Sequence, residues 1–248
     1  MANLSGRVAI ITGASKGIGA AIAEKLAGDG AAVAVNFSNS AREAETVVAN
    51  IQKRGARALA VRADVSKLAD VKKLFETTVR EYGRVHVLVN NAAVYWPAPF
   101  EKVDEQLFDR HFSLNVQGLF FSIQEAVNVF GDAGGSIINI SSIAALSPKP
   151  NLVVYSATKA AVDAITKGLA AELGPKKILV NSVLPGATDT EGFRAMPGSS
   201  DFRSVVVSQT PLGRLGQPLD IANVVSFLAG HEASWITGQL ISVSGGWS

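Results

Sequence analysis

Val8-Ala9-Ile10-Ile11-Thr12-Gly13-Ala14-Ser15-Lys16-Gly17-Ile18-Gly19 sets an apolar run against a glycine-rich turn, with a helical pattern from residue 18 onward. The run does not alternate apolar with polar residues. Both of its faces are therefore buried, as in a strand of a parallel sheet covered by helices on either side. The same rhythm repeats along the chain. Strands are predicted over residues 7–12, 32–37, 57–62, 85–89, 136–140, 178–184 and 239–243, and helices over 18–28, 41–53, 68–82, 104–129, 153–173 and 219–229. Such alternation builds right-handed βαβ units, hence an α/β fold with a doubly wound, seven-stranded parallel sheet and helices on both faces. No linker rich in Pro, Gly or Ser divides the 248 residues, so a single domain over 1–248 is expected. One stretch, 188–211, breaks the rhythm with Gly192, Pro197, Gly198, Ser199 and Ser200. It reads as a long loop of the kind that covers a binding site.

Composition narrows the function classes. Hydrophobic residues make up 48 % and charged residues 18 %, which implies strands buried on both faces or surface hidden by self-association. The net charge is +2 and no basic run exceeds Lys72-Lys73 or Lys176-Lys177, so no nucleic-acid footprint is expected. With no cysteine, disulfides, thiol catalysis and cysteine-held metals are excluded, in keeping with a reducing compartment. His86, His111 and His231 lie far apart without ligand spacing; they read as surface or packing residues, and no metal is expected. Val8–Ile11 is too short for a signal-peptide core, and no segment approaches ~18 unbroken apolar residues. A cytoplasmic protein with no membrane partner is the expectation.

The glycine-rich turn between a strand and a helix has a chemical use. Glycines let the backbone approach a pyrophosphate closely, and the helix N-terminus then presents its N–H groups to the anion. Gly13, Ser15, Lys16, Gly17, Ile18 and Gly19 are the candidate cradle. Tyr155 and Lys159 stand one helical turn apart, so both project from one face of the helix predicted over 153–173.

The spacing Thr12-Gly-x-x-x-Gly-x-Gly resembles that of the short-chain dehydrogenase/reductase family, in its subclass of about 250 residues, and the resemblance spans the whole chain. It includes Asp64-Val65, Asn90-Asn91-Ala92-Ala93, Asn115, Ser142, Tyr155-x-x-x-Lys159 and Pro185-Gly186. The resemblance implies a Rossmann fold and a nicotinamide cofactor. By it, Asp64 and Val65 meet the adenine, and the Asn90 turn, with Asn91, Ala92 and Ala93, supports the ribose and central strand. The carboxamide lies against Pro185, Gly186, Thr188 and Thr190. Where the family usually has glycine this chain has Ala93. NADP(H) is expected rather than NAD(H). The second strand ends Asn36-Phe37-Ser38, without the carboxylate that accepts from ribose hydroxyls, and Asn36 and Ser38 can donate to a 2′-phosphate. Lys16 stands where similar NADP-binding members carry a cation, and Arg42 is a candidate second one.

The family's chemistry follows from charge. Hydride delivered to a carbonyl carbon leaves negative charge on oxygen, which must be hydrogen-bonded and protonated. The resemblance makes Tyr155 the general acid, with Lys159 lowering its pKa and binding the nicotinamide ribose, Ser142 holding the substrate oxygen, and Asn115 keeping a water in the proton path. Residues expected to line the substrate pocket are Val94, Tyr95, Trp96, Leu146, Leu152, Phe193 and Met196, with no Arg or Lys among them. A neutral, bulky or aromatic carbonyl, or the corresponding alcohol, is the expected small-molecule substrate. Reduction of a 3-oxoacyl group on an acyl-carrier protein is the runner-up, since only Lys176-Lys177 offers a basic patch. A non-catalytic NADP-binding regulator or scaffold is the reading from a different class. The many small side chains of the helix bearing Tyr155 and the apolar segment 238–248 with Trp247 predict a homotetramer with two-fold axes.

Overall fold

The computed structural model describes residues 3–195 and 199–247, with backbone alone at 199–202. Its centre is one sheet of seven parallel strands: β1 (Val8–Ile11), β2 (Ala32–Phe37), β3 (Ala58–Arg62), β4 (Val87–Asn90), β5 (Gly135–Ile140), β6 (Ile178–Pro185) and β7 (Leu240–Val243). Their order across the sheet is β3-β2-β1-β4-β5-β6-β7. Every residue of β1 and β2 is buried, as the unbroken apolar runs require.

Two layers of helices provide that burial. On one face, α1 (Gly17–Gly28), α2 (Ala41–Lys53) and α9 (Pro218–Ala229) pack Ile22, Leu26, Val47, Ile51 and Val225 onto Ile11, Val33, Val35 and Val89. On the other, α3 (Leu68–Tyr82), α5 (Leu119–Phe130) and α6 (Val153–Leu173) pack Leu74, Phe75, Ile123, Phe130 and Val162 onto Ile10, Leu88, Ile137 and Val180. The chain reverses direction across the sheet between β1 and β4, and the crevice at such a switch point is where ligands of open α/β sheets bind. No helix among the described residues is long and apolar enough to cross a membrane.

Two stretches depart from the sequence reading. The helix expected over 104–129 is interrupted: α4 (Glu105–Phe112) passes through a π-helical segment, Ser113–Gly118, into α5. Such π segments lie at functional sites more often than elsewhere, and this one carries Asn115. The loop expected over 188–211 is largely helical, with α7 (Glu191–Arg194) and α8 (Ser199–Gln209). Phe193, Val206 and Leu215 form a small core of their own there, so apolar burial overrides the glycine and serine signals that argued for a loop.

Candidate active site

A cleft of about 920 Å³ opens at the carboxyl ends of the central strands. It is lined by Lys16–Gly19 after β1, Asn91 and Ala93 after β4, Ile140–Ser142 at the end of β5, and Pro185–Thr188 at the end of β6. Tyr155 and Lys159 of α6 complete its floor.

The glycine turn is held from both sides. Asn91 donates through Nδ2 to the Thr12 carbonyl at 2.9 Å and the Gly13 carbonyl at 3.0 Å, while the Thr12 hydroxyl accepts from the Asn91 and Ala92 N–H groups at 2.9 and 3.0 Å. From β2, Asn36 accepts from Gly13 N–H at 3.1 Å and donates to the Val61 and Ala63 carbonyls at 3.3 and 3.0 Å. Gly13 has φ +62°, and a Cβ there would stand 2.9 Å from Ala92 Cα. At Gly19 a Cβ would meet Asn91 Nδ2 at 2.5 Å and the Gly13 carbonyl at 2.6 Å. Beyond the turn Lys16 stands at the N-cap of α1, and its side chain gives the helix's first N–H groups no cap. A glycine turn packed too closely for any Cβ, leading into uncapped N–H groups of a twelve-residue helix on the cleft, fits the pyrophosphate of a dinucleotide.

Asn36 is therefore not available as a 2′-phosphate donor. It is 2 % exposed, and its amide is spent on backbone groups that the turn leaves without partners. Phe37 likewise belongs to the core under α1 and α2. Ser38 is half-buried, and its carbonyl accepts from Arg62 Nε at 3.1 Å. Arg62 pairs with Phe37 in the sheet register, so a cation stands at the end of β2 that the residue order around Ser38 did not announce. Lys16 is exposed on the cleft. Asp64 is half-buried; burial pushes its carboxyl up, but the Ser66 hydroxyl and N–H, with Arg110 and Lys67, bring it below the usual range. Val65 is buried beside it. Asn90 donates to Asn139 Oδ1 at 2.9 Å, and Asn139 to Thr166 Oγ1 at 2.9 Å, which ties β4 to β5 and α6 beneath the cleft. Ala93 lies outside the left-handed region, so the departure from glycine carries no backbone strain.

At the other end, Ser142 follows β5 with its hydroxyl beside the Tyr155 phenol, and it accepts from Ala144 N–H at 3.1 Å. Lys159 Nζ lies 5.7 Å from the Tyr155 ring centroid and donates to the Ile140 carbonyl at 2.8 Å. The expected lowering of the Tyr155 pKa is not what the cleft produces. Burial pushes the phenol up to about 12, against the pull of Ser142, and Tyr95 adds to the rise. Burial also brings Lys159 down to about 8, with Asp163 resisting. Asn115 is buried; it accepts from Val94 N–H at 2.8 Å and donates to the Val94 carbonyl at 3.0 Å and to Thr158 Oγ1 at 3.1 Å. Thr158 in turn donates to the Tyr155 carbonyl at 2.7 Å. Beyond β6, the Thr188 hydroxyl donates to the Gly186 carbonyl at 2.9 Å, and Thr190 caps α7 by accepting from Phe193 N–H at 3.1 Å.

The lip of the cleft differs from the sequence expectation. Tyr95, Leu152 and Phe193 line it, and Tyr95 meets Tyr155 edge-on with ring centroids 4.9 Å apart. Val94, Trp96 and Leu146 are not among its lining residues. Val94 is drawn aside by Asn115, Trp96 turns its ring edge-on to the buried His111, and Leu146 points outward, 62 % exposed. Met196 lies outside the described residues. Trp247 lines the cleft with Lys149, whose Nζ stands 5.8 Å from the Trp247 ring centroid. The lip thus holds a cation that the expected lining lacked. Its two carriers are brought together from positions 98 residues apart, which no spacing rule detects.

A family model described as enoyl-(acyl carrier protein) reductase matches residues 13–248. An uncharacterized oxidoreductase of Methylorubrum extorquens is 50 % identical over 247 residues, covering 99 % of each chain. A hydroxynaphthalene reductase-like protein, Arp2 of Metarhizium robertsii, is 39 % identical, covering 98 % of this chain and 96 % of its own. Among solved structures, the angucycline C-6 ketoreductase LanV with bound NADP superposes with a TM-score of 0.92 at 40 % identity, over 99 % of this chain and 96 % of that one. With the sheet order, the glycine cradle and these whole-length likenesses together, the chain is an oxidoreductase of the short-chain dehydrogenase/reductase family.

Proposed function

We propose that the chain is an NADP(H)-dependent ketoreductase that interconverts a bulky or aromatic ketone and its secondary alcohol. One observation carries the reading: two hydroxyl donors, Ser142 and Tyr155, meet at the cleft floor with the Lys159 ammonium behind them. When bound, the cofactor supplies hydride to the carbonyl carbon. The chain's residues handle the oxygen. Ser142 and the Tyr155 phenol donate to it, and negative charge develops where two donors are already placed. Burial keeps the Tyr155 phenol protonated near neutrality, so the proton it gives is in place before hydride transfer. As that proton leaves, the phenolate forms beside Lys159, whose charge stabilises it. Asn115 acts as a positioning residue, tying the wall at Val94 to the turn of α6 that bears Tyr155.

Lys16, Ser38 and Arg62 are the groups proposed to receive the 2′-phosphate, with LanV and its NADP as the supporting relative. A charge-assisted contact from Lys16 is worth about 1.5–3 kcal/mol, roughly 10–150-fold in affinity. Lys16→Ala should weaken NADPH by that factor and NADH far less; equal use of both cofactors by the unaltered enzyme would contradict the assignment. Tyr95, Phe193 and Trp247 supply aromatic surface for a planar substrate, and two relatives are named as a hydroxynaphthalene reductase-like protein and an angucycline C-6 ketoreductase. We also propose assembly into a homotetramer. Phe108, Phe120 and Val153 of α4, α5 and α6 are exposed, as is Trp235 at 98 %, which offers a further aromatic for the second contact. The discriminating experiment follows NADPH absorbance with a panel of aromatic ketones, a 3-oxoacyl thioester and an enoyl thioester. Aromatic ketone reduction supports the proposal, and turnover confined to a thioester replaces it.

A further inference from the structure

Lys159 is 3 % exposed, and an ammonium so placed must lose its proton or find a compensating charge. The Ile140 carbonyl offers only a dipole. One turn further along α6 stands Asp163, itself 6 % exposed. Its Oδ1 accepts from Ser182 Oγ of β6 at 3.0 Å, while Oδ2 has no hydrogen-bond partner among the described residues. Ser141, next to Ser142 at the end of β5, donates to the Lys159 carbonyl at 3.2 Å and turns its hydroxyl toward the same carboxylate. The groups facing Asp163 are thus Lys159 and Lys167 from its own helix, Ser141 from β5 and Ser182 from β6. Lys167 is exposed, so Lys159 is the buried charge of the pair. No direct ion pair joins Lys159 to Asp163 among the described residues, and the carboxylate acts through its field across one helical turn. An aliphatic side chain would fill this space between α6 and the strands without leaving an oxygen unpartnered, so packing does not explain the residue.

We propose that Asp163 is a positioning residue of this site: the buried counter-charge that keeps Lys159 an ammonium beside Tyr155, held in place by Ser182. The proposal rests on the reading of Tyr155 and Lys159 as the proton-handling pair. It predicts a property of Lys159 that is measured without turnover. In cofactor-free protein carrying ¹⁵N-lysine, the Lys159 Nζ signal is identified by its loss in Lys159→Met and titrated with pH. Its midpoint should fall by at least about one pH unit in Asp163→Asn, because removing an adjacent anion disfavours the charged amine. Asp163→Glu should restore most of the difference, which a merely structural role would not do. Ser182→Ala keeps the carboxylate charged and should leave the midpoint nearly in place, and a fall as large as that in Asp163→Asn would assign the effect to the hydrogen bond instead of the charge. An unchanged midpoint in folded Asp163→Asn overturns the proposal; should that variant not fold, an unchanged midpoint in Asp163→Leu, which fills the same space without the charge, does so. Failure to reduce any ketone would sink the proposed function and leave the Lys159 midpoint to decide this inference separately.

Discussion

The floor and the lip of the same cleft are built by opposite means. At the floor, Thr12, Asn36, Asn90, Asn115 and Lys159 are buried polar groups, and most of their hydrogen bonds go to backbone that has no alternative partner. Each such bond fixes a loop, and leaving any of these groups unpaired costs about 1–3 kcal/mol. At the lip, Tyr95 meets Tyr155 edge-on, Lys149 lies over the Trp247 ring, and the Ala98 N–H donates to the Asn151 carbonyl at 2.9 Å. Contacts of this kind tolerate replacement. The difference teaches that one floor can serve many substrates, with the chemistry held by the sheet ends and the choice of ketone left to the loops.

Substitutions at the two regions should therefore differ in kind as well as size. Gly19→Ala introduces a Cβ 2.5 Å from Asn91 Nδ2 and 2.6 Å from a backbone carbonyl. Overpacking of this sort costs about 1–3 kcal/mol, so the melting temperature should fall by several degrees and cofactor affinity with it. Unchanged values in calorimetry and cofactor titration would remove the close-approach argument.

A second test uses pH. Burial lowers Lys159 from 10.5 to about 8, so between those values the unfolded chain binds this proton and the folded chain does not. Stability then rises with pH across that window, and the cost of burying the charge is fully present below it. Relative to Lys159→Met, the unaltered protein should gain about 2 kcal/mol between pH 8 and pH 10 in denaturant unfolding. Measurement stops at pH 10 because Tyr155, raised to about 12, acts in the opposite direction above its ordinary value of 10. A constant difference would mean that Lys159 is not desolvated.

The smallest effect belongs to the lip. Trp247→Ala should raise the KM for an aromatic ketone by roughly 2–13-fold, the worth of one aromatic contact at about 0.5–1.5 kcal/mol, with the melting temperature and NADPH affinity nearly unchanged. A loss of cofactor binding instead would place Trp247 with the floor.

The same contrast explains what was legible in the residue order. The seven strands, the glycine turn and the Tyr155-Lys159 pair depend on neighbours a few positions away, and each stands where that spacing puts it. The place of Asn36 is not legible from residue type, because an amide's chemistry does not say whether it faces a ligand or the Gly13 backbone. Arg62 becomes visible only when β3 is laid beside β2, and Trp247 only when the last strand returns to the cleft. The helices within 188–211 were obscured because tertiary burial of Phe193, Val206 and Leu215 outweighs local turn signals.

Tyr155→Phe tests the central claim most directly, because it keeps the ring against Tyr95 and removes only the phenol proton. NADPH binding is followed by fluorescence titration and ketone reduction by absorbance in the same preparation. Near-native NADPH affinity with turnover lowered by ~10²–10⁴ is the predicted result. Wild-type turnover in that variant would contradict the assignment of Tyr155 as the proton donor, and with it the reading of the cleft as a ketoreductase site.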